Sequence, residues 1–338
     1  TARRERRIMT ARTASTDQSP TLETSAGAAT WRALGTYVDV RTTPDAVRAA
    51  ADIAVDVLAQ VDAACSRFRQ DSDLTRANQA SGTTVPVSPV LAAAVRVALE
   101  AAEDTAGIVD PLLGEVLRAA GYDRSFELVP GQIPDPAALP RARGRWQDVE
   151  VGESHLRVPP GSALDLGATG KAFAADLVAL TIADALEVPV LVSLGGDVRV
   201  ASPGDGPGLP DEHPGYTVIL GHTVADLASG GPSARVSLTR GGLATSSTAA
   251  RHWRRAGLTW HHLVDPRTGE PATGPWRTVT ALGHTTAAAN TASTAAIVLG
   301  DTALTWLCER GVAARLVDHE GRVTRTPAWT ASDLEETP

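Results

Sequence analysis

The sequence has few of the residues that cross-link small folds or bind soft metals. Only two of its 338 residues are cysteines, Cys65 and Cys308, and they lie far apart in the chain. Their separation does not match the ligand spacing of zinc or iron–sulfur sites. We therefore expect two free thiols in a reduced protein, in preference to a single disulfide.

A basic surface is missing as well. The chain has 31 Lys and Arg residues against 39 Asp and Glu residues, which gives a formal net charge of −8 at pH 7. Proteins that bind nucleic acids generally need clustered basic residues to neutralise phosphates. The composition therefore argues against a nucleic-acid-binding protein.

Long hydrophobic runs are also absent. No apolar stretch is long enough to cross a bilayer, and no apolar segment follows the arginine-rich start of the chain as it would in a secretory signal. We predict a cytoplasmic or membrane-peripheral protein that associates with membranes only through a partner. Residues 1–29 are predicted to be a disordered leader, residues 30–326 the folded domain and residues 327–338 a flexible tail.

The apolar periodicity predicts interleaved helices and strands. Helices are expected over residues 45–65, 90–106, 168–186 and 287–299, with another starting at 302. Strands are expected over residues 31–40, 148–151, 155–158, 189–201, 216–220, 234–238, 260–264 and 278–282, and a hairpin over 314–318 and 322–325. Because they do not alternate in a regular strand–helix–strand order, we predict an α+β fold and not a doubly wound sheet.

A glycine-rich segment leads into the helix predicted over residues 168–186. It runs from Asp165 to Lys171 and includes Gly170. A helix that starts after glycines offers backbone N–H groups and a positive dipole end, which suit a phosphate, and Lys171 would add a charge. The spacing is not that of a P-loop. A tight structural turn explains the segment equally well.

Paired glycines interrupt the strand predicted over residues 189–201. Gly195 and Gly196, followed by Asp197, permit a positive φ or the close approach of a ligand to the backbone. A bulge between two strands is an equally good interpretation. The spacing is not that of a dinucleotide-binding fingerprint.

A third group combines hydroxyl, imidazole, carboxylate and guanidinium groups between residues 245 and 269. The segment from Asp265 to Gly269 has the composition of a turn, which alone would explain it. Alternatively, the preceding His262 could serve in proton transfer beside a phosphate contact. The G-x-S-x-G sequence of an α/β-hydrolase is not present. The polar residues of the group are Thr245, Ser246, His262, Asp265, Arg267 and Thr268.

In the helix of small residues predicted over 287–299, Asn290 and Thr294 are four residues apart and share one face. Two oxygen donors in this arrangement could ligate a hard cation such as Mg²⁺, which takes substrate phosphates for its remaining ligands. Hydrogen bonding within the core is the alternative explanation.

The order and spacing of these motifs resemble those of the ApbE family of FAD:protein FMN transferases. The residues of several motifs are similar to those of its actinobacterial branch. The resemblance extends from about Trp31 to Asp318. It rests on Leu34-Gly35-Thr36, Ser66-Arg67-Phe68, Ser72 to Asn78, Asp110-Pro111, Asp165-Leu166-Gly167 with Lys171 and Asp176, Leu194 to Asp197, Ala244-Thr245-Ser246, His262 to Gly269, and the Asn290/Thr294 helix.

The resemblance implies an ApbE-like, T-fold-related single domain built of two intimately joined α/β subdomains. It also implies an enzyme that uses Mg²⁺ and FAD. The enzyme would attach FMN through a phosphoester bond to a Ser or Thr of an acceptor protein with an FMN-binding domain, releasing AMP.

The resemblance further assigns roles to residues. The metal would be held by the Gly170 carbonyl, Asn290 and Thr294, and His262 would transfer a proton. The remaining residues implied in catalysis are Asp265, Thr245 and Ser246. Those implied in FAD binding are Asn78, Asp110, Asp165, Lys171, Gly195, Gly196, Asp197, Arg267 and Thr268.

The sequence departs from the family pattern at the metal site, where Asn290 stands in place of the usual aspartate. An amide oxygen can ligate Mg²⁺ but brings no charge, so affinity should fall unless FAD phosphates supply the negative field. Two alternatives stay open. One is an FAD pyrophosphatase that uses water in place of the protein hydroxyl, and the other, which Asn290 motivates, is a non-catalytic FAD-binding protein.

Overall fold

The central feature of the fold is a nine-stranded sheet in which every neighbouring pair is antiparallel. It belongs to a computed structural model that describes residues 22–124, 129, 132–133, 145–205, 215–221, 233–255, 258–330 and 336–337. In spatial order the strands are β1 (Glu23–Ser25), β2 (Ala28–Ala33), β3 (Thr36–Arg41), β8 (Val190–Leu194), β9 (Asp197–Ala201), β12 (Gly241–Ser247), β17 (Trp276–Gly283), β18 (Ala314–Asp318) and β19 (Val323–Arg325).

Smaller sheets surround it. They comprise β4 (Thr84–Pro86), β7 (His155–Arg157) and β6 (Glu150–Val151); β10 (Tyr216–Leu220), β11 (Ser233–Leu238) and β20 (Glu336–Thr337); β14 (Leu258–His261), β13 (His252–Arg255) and β5 (Gln132–Ile133); and β15 (Val264–Asp265) with β16 (Glu270–Pro271).

Helices cover one face of the central sheet. The helices are α1 (Val47–Cys65), α2 (Asp73–Gln79), α3 (Pro89–Asp104), α4 (Gly114–Ala119), α5 (Gly170–Leu186), α6 (Thr286–Leu299) and α7 (Ala303–Glu309), with short 3₁₀ turns at Trp146–Asp148 and Gly300–Thr302. Helix α5 packs on β8 and β9, α6 packs on β12 and β17, and the two helices contact each other. None of the helices in the described ranges is both long and apolar enough to span a bilayer.

The opposite face of the sheet has its own apolar cluster. Val198 and Leu243 point away from the helices and pack with Val236 of β11 and with Trp329. This cluster bears on the predicted C-terminal tail, because Trp329 is only 5% exposed and strand β20 pairs with β11. The expectation of a flexible tail from residue 327 is therefore wrong for these residues, while residues 331–335 and 338 lie outside the described residues.

The predicted N-terminal boundary is also wrong. We expected a disordered leader up to residue 29, but β1 and the start of β2 already belong to the central sheet. The three residues of β1 are all polar, so the sequence has no apolar pattern there from which to predict a strand. Residues 1–21 lie outside the described residues.

The predicted α+β class is confirmed, and most predicted elements are present within one or two residues of their expected bounds. The single strand expected over residues 31–40 is instead the β2–β3 hairpin. Leu34 and Gly35 turn the chain with φ of 48° and 66°, the backbone that a two-residue hairpin requires. Cys65 and Cys308 are free thiols, as expected.

Candidate active site

The segment before α5 is fixed by contacts on both sides. Asp165 is buried, its Oδ1 accepts from the Gly167 N–H at 2.7 Å, and its Oδ2 lies 3.0 Å from Arg67 Nε. The Asp165 N–H donates to the Pro111 carbonyl at 2.8 Å. Helix α5 then begins at Gly170 without a side-chain cap. An uncapped helix start is suited to an anionic group.

Asn78 braces the same segment, and Asp110 lies in the turn beside it. The Asn78 amide donates to the Leu164 carbonyl at 2.9 Å and accepts from the Leu164 N–H at 2.8 Å, so both of its polar atoms are used by backbone. Asp110 Oδ1 accepts from the Leu112 N–H at 2.8 Å. Burial raises the pKa of Asp110, and that hydrogen bond acts in the opposite direction. Asn78 therefore fixes the wall formed by this segment, whereas the hydrogen bond of Asp110 stays within its own turn, next to the Pro111 carbonyl that binds Asp165.

The paired glycines form the turn between β8 and β9. Their φ values are 62° for Gly195 and 105° for Gly196, both in the region that favours glycine. A Cβ on Gly195 would lie 2.1 Å from Thr36 Oγ1, whereas a Cβ on Gly196 would meet no atom within 4 Å. The two glycines therefore adopt the positive φ that the sequence allowed, in a two-residue turn and not in a bulge, and the turn leaves open space beside Gly196.

A chain of polar contacts joins α5, β9 and α6. Lys171 Nζ lies 3.4 Å from Asp197 Oδ2, and Asp197 Oδ1 accepts from Asn290 Nδ2 at 2.9 Å. The Thr294 hydroxyl donates to Asn290 Oδ1 at 3.3 Å and lies 3.1 Å from the Ser246 hydroxyl. Motifs that are more than 120 residues apart in sequence thus meet in one buried cluster, which we call the polar chain.

The structure separates two residues that are adjacent in sequence. Ser246 faces α6, where its hydroxyl also contacts that of Ser293 at 2.9 Å. Successive residues of a strand point to opposite faces. Thr245 accordingly points to the other face of β12, and its hydroxyl lies 2.9 Å from Thr280 Oγ1 on the neighbouring strand. Of the predicted pair, the structure brings only Ser246 to the polar chain.

His262 lies near the cationic end of this chain. Burial lowers its pKa well below the usual range, and the charges of Arg251, Lys171 and His261 lower it further, while a backbone hydrogen bond at Ala250 acts in the opposite direction. Its Nδ1 is buried and has no hydrogen-bond partner among the described residues. A histidine in this environment is neutral near pH 7, and its lowered pKa also makes it a weaker base than an ordinary histidine.

The segment after His262 is a tight turn held by an ion pair. Arg267 Nη2 lies 2.8 Å from Asp265 Oδ2, and its backbone N–H donates to Asp265 Oδ1 at 2.9 Å. Burial raises the pKa of Asp265, but the hydrogen bonds and charge of Arg267 outweigh it and leave that pKa below the usual range. A carboxylate of this kind is a poor proton acceptor. The Thr268 hydroxyl donates a hydrogen bond to the Asp265 carbonyl at 3.4 Å, within the same turn.

Two residues to which the sequence assigned no role hold α6 in place. Asp176 accepts from the N–H groups of Thr286 and Ala287 at 2.8 and 2.9 Å, so its carboxylate caps the helix that carries Asn290. Burial raises the pKa of Asp176, and those hydrogen bonds and the charge of Arg199 act in the opposite direction. Arg199 Nε lies 3.7 Å from Asp176. Residue spacing within a helix predicts only which of its own residues are neighbours, so it could not predict this contact between α5 and α6.

We expect Asp176→Ala to lower the free energy of unfolding by about 1–3 kcal/mol, because two buried N–H groups lose their acceptor. Asp176→Asn keeps one acceptor oxygen and should lose less. Urea denaturation measured by circular dichroism checks both. Equal stability of the alanine variant and the wild type would show that the carboxylate does not cap α6.

Arg67 is a further residue for which the sequence gave a motif but no role. Its guanidinium carbon lies 4.4 and 4.2 Å from the ring centroids of Phe68 and Tyr122, and Nη1 donates to the Tyr122 carbonyl at 2.6 Å. Through Asp165 it also contacts the wall before α5. Arg67 therefore connects an aromatic cluster, which continues from Tyr122 to Trp253 and Trp260, with the site.

The polar chain has the donors for a hard cation. Asn290 Oδ1 and Thr294 Oγ1 are 3.3 Å apart. Adjacent ligands of an octahedral Mg²⁺ at about 2.1 Å from the metal are about 3.0 Å apart, so the spacing fits. Within the described ranges no three His, Cys, Asp or Glu residues are grouped as metal ligands. A cation here would therefore depend on neutral oxygens, the nearby Asp197 and the phosphates of a substrate.

Comparison with known proteins gives consistent matches. A model of the ApbE family matches residues 34–316. An FAD:protein FMN transferase of Treponema pallidum (strain Nichols) is 32% identical over 272 residues, covering 75% of this chain and 72% of that protein. One of Klebsiella pneumoniae (strain 342) is 28% identical over 287 residues, covering 80% of this chain and 78% of that protein.

Solved structures show the same fold. The ApbE protein of Thermotoga maritima matches with a TM-score of 0.71 and 22% identity, over 89% of this chain and 97% of that one. The apo form of the flavinyl transferase ApbE of Pseudomonas stutzeri matches with a TM-score of 0.71 and 23% identity, over 92% of this chain and 96% of that one.

Proposed function

The chain belongs to the ApbE family, and we propose that it transfers the FMN half of FAD to a hydroxyl side chain of an acceptor protein. The polar chain from Lys171 to Thr294 carries this proposal, because it places a cation, a carboxylate and two neutral oxygen donors beside an uncapped helix start. Phosphoryl transfer needs positioned positive charge and a proton acceptor, with little further covalent chemistry from the protein.

We place the diphosphate of FAD between the start of α5 and the face of α6 that bears Asn290. Lys171 would neutralise phosphate charge there, and Gly196 would allow close approach of the substrate to the β8–β9 turn. Asp265 would act by holding Arg267 in position toward the substrate, because its own carboxylate is engaged by that arginine.

Asn290, Thr294 and the Gly170 carbonyl would hold Mg²⁺, which on binding supplies charge neutralisation at the phosphates. His262 would take the proton from the attacking Ser or Thr hydroxyl of the acceptor. The oxygen of that hydroxyl forms a bond to the FMN phosphorus, the bond from this phosphorus to the bridging oxygen breaks, and AMP leaves. The lowered pKa keeps His262 unprotonated at neutral pH but also makes it a weaker base, so the proposal rests on its unpartnered Nδ1 and on its place beside Lys171.

The proposal is tested by mixing the protein with FAD, Mg²⁺ and an acceptor protein that contains an FMN-binding domain with its target Ser or Thr. We expect a fluorescent acceptor band on a denaturing gel, lost with EDTA and lost when the target residue is changed to alanine. Release of free FMN and AMP without a labelled band would indicate an FAD pyrophosphatase. Bound and unchanged FAD would indicate a non-catalytic flavin-binding protein.

A further inference from the structure

The amide of Asn290 can have only one orientation in the polar chain. A carboxylate accepts hydrogen bonds and cannot donate them. Asp197 therefore requires Nδ2 of Asn290 on its side, at 2.9 Å from Oδ1. The carbonyl oxygen of the amide is then turned toward Thr294, at 3.3 Å from Oγ1. The opposite rotamer would place two oxygens against each other at hydrogen-bond distance.

The carboxylate of Asp197 also places a negative charge beside Asn290. Its side chain is 4% exposed, and its second oxygen lies 3.4 Å from Lys171 Nζ. Asn290 is neutral, and Asp197 is the carboxylate bonded to it. A negative charge thus lies one hydrogen bond behind the oxygen pair of Asn290 and Thr294, in the position from which outer-sphere carboxylates orient metal ligands and increase their basicity.

We propose that Asp197 is the positioning residue of the cation site: it holds the Asn290 oxygen toward the metal and supplies the negative charge that Asn290 lacks. This inference rests on the proposed function, since it needs a divalent cation at Asn290 and Thr294. It assigns Asp197 to the metal side of the site, because both of its oxygens are engaged by Asn290 and Lys171 and not directed to FAD.

The arrangement predicts how charge can be moved within the site. Asn290→Asp alone would set two carboxylates at hydrogen-bond distance, where like charges oppose each other. Exchanging the residues, with Asp197→Asn and Asn290→Asp together, keeps one hydrogen bond and one negative charge but moves the charge onto the ligand. The exchange should therefore restore what the Asp197→Asn substitution removes.

The role of Asp197 is tested by measuring Mn²⁺ binding, with the electron paramagnetic resonance signal of the free ion as the readout. The measurement is made with the metal alone and again with FAD added, and Mg²⁺ is used as the competitor. We expect Asp197→Asn to weaken binding about 10–100-fold, the range found for outer-sphere carboxylates. The exchanged double variant should bind at least as tightly as the wild type. Equal binding by the wild type and Asp197→Asn would overturn the inference, and so would an exchanged variant as weak as the single one.

Two controls separate the possible failures. Asp318→Asn removes another buried carboxylate, which lies on β18, three strands from β9 in the central sheet, and is paired with an arginine, Arg322. This variant should leave Mn²⁺ affinity unchanged. Thermal melting in EDTA shows whether each variant is folded. If the wild type binds no Mn²⁺ even with FAD present, the metal part of the proposed function fails together with this inference. If the wild type binds and all variants bind alike, only this inference fails.

Discussion

Replacing His262 with glutamine is expected to slow FMN transfer by about 10²–10⁴-fold, the usual contribution of a positioned proton acceptor. FAD affinity should change little, because glutamine fills similar space and removes no charge at pH 7. The single-turnover rate of acceptor labelling at saturating FAD measures the first effect. Quenching of flavin fluorescence in a titration measures the second.

The adjacent His261 is the matched control. Its Nε2 lies 3.1 Å from the Ala272 carbonyl, so its ring is used by backbone in the turn region. His261→Gln should leave the transfer rate near that of the wild type. Equal losses in the two variants would show that damage to this segment, and not a missing base, slows the reaction.

The lowered pKa of His262 also predicts a change of stability with pH. The folded protein resists protonation of this buried ring, whereas the unfolded chain takes up a proton near the ordinary histidine pKa of about 6.5. The unfolded state thus binds more protons below that pH, and the free energy of unfolding falls as pH decreases. His262→Gln should lack this component, which urea denaturation at pH 7.5 and 5.5 can detect.

The sequence predicted the elements of the fold better than their arrangement. Apolar spacing is local information, so helices α1, α3, α5 and α6 were found within two residues of their bounds. Strand β12 was recognised only as the motif around Thr245, although it lies in the middle of the sheet. Its small and polar residues give no alternating pattern, and only packing against α6 makes it a central strand.

The candidate site shows the same limit. The motifs named Lys171, Asp197, Asn290 and Thr294 separately, and their meeting in one polar chain depends on strand order, which no single motif contains. The sequence could not show that Asp197 orients Asn290. Nor did it separate Ser246 from Thr245, although the two-residue period of a strand would have placed them on opposite faces once β12 was recognised.

Lys171→Met is expected to lower the free energy of unfolding by about 3 kcal/mol, because it leaves the charge of Asp197 without its cation. Asp197 is only 3% exposed, so little water reaches its carboxylate while the lysine side chain is in place. FAD affinity should also fall, since one phosphate contact is lost. Guanidinium denaturation measures the first effect, and flavin fluorescence titration in EDTA measures the second.

The same substitution should act in the opposite direction on the cation site. Removing the ammonium 3.4 Å from Asp197 leaves the charge of that carboxylate uncompensated, so it attracts a divalent ion at the Asn290 and Thr294 oxygens more strongly. We therefore expect Mn²⁺ to bind more tightly to Lys171→Met than to the wild type and to recover part of its lost stability. Lys171→Arg keeps the charge and should show neither change. Weaker binding of both FAD and Mn²⁺ to the methionine variant would mean that the site had collapsed as a whole, since a purely electrostatic change must move the two affinities apart.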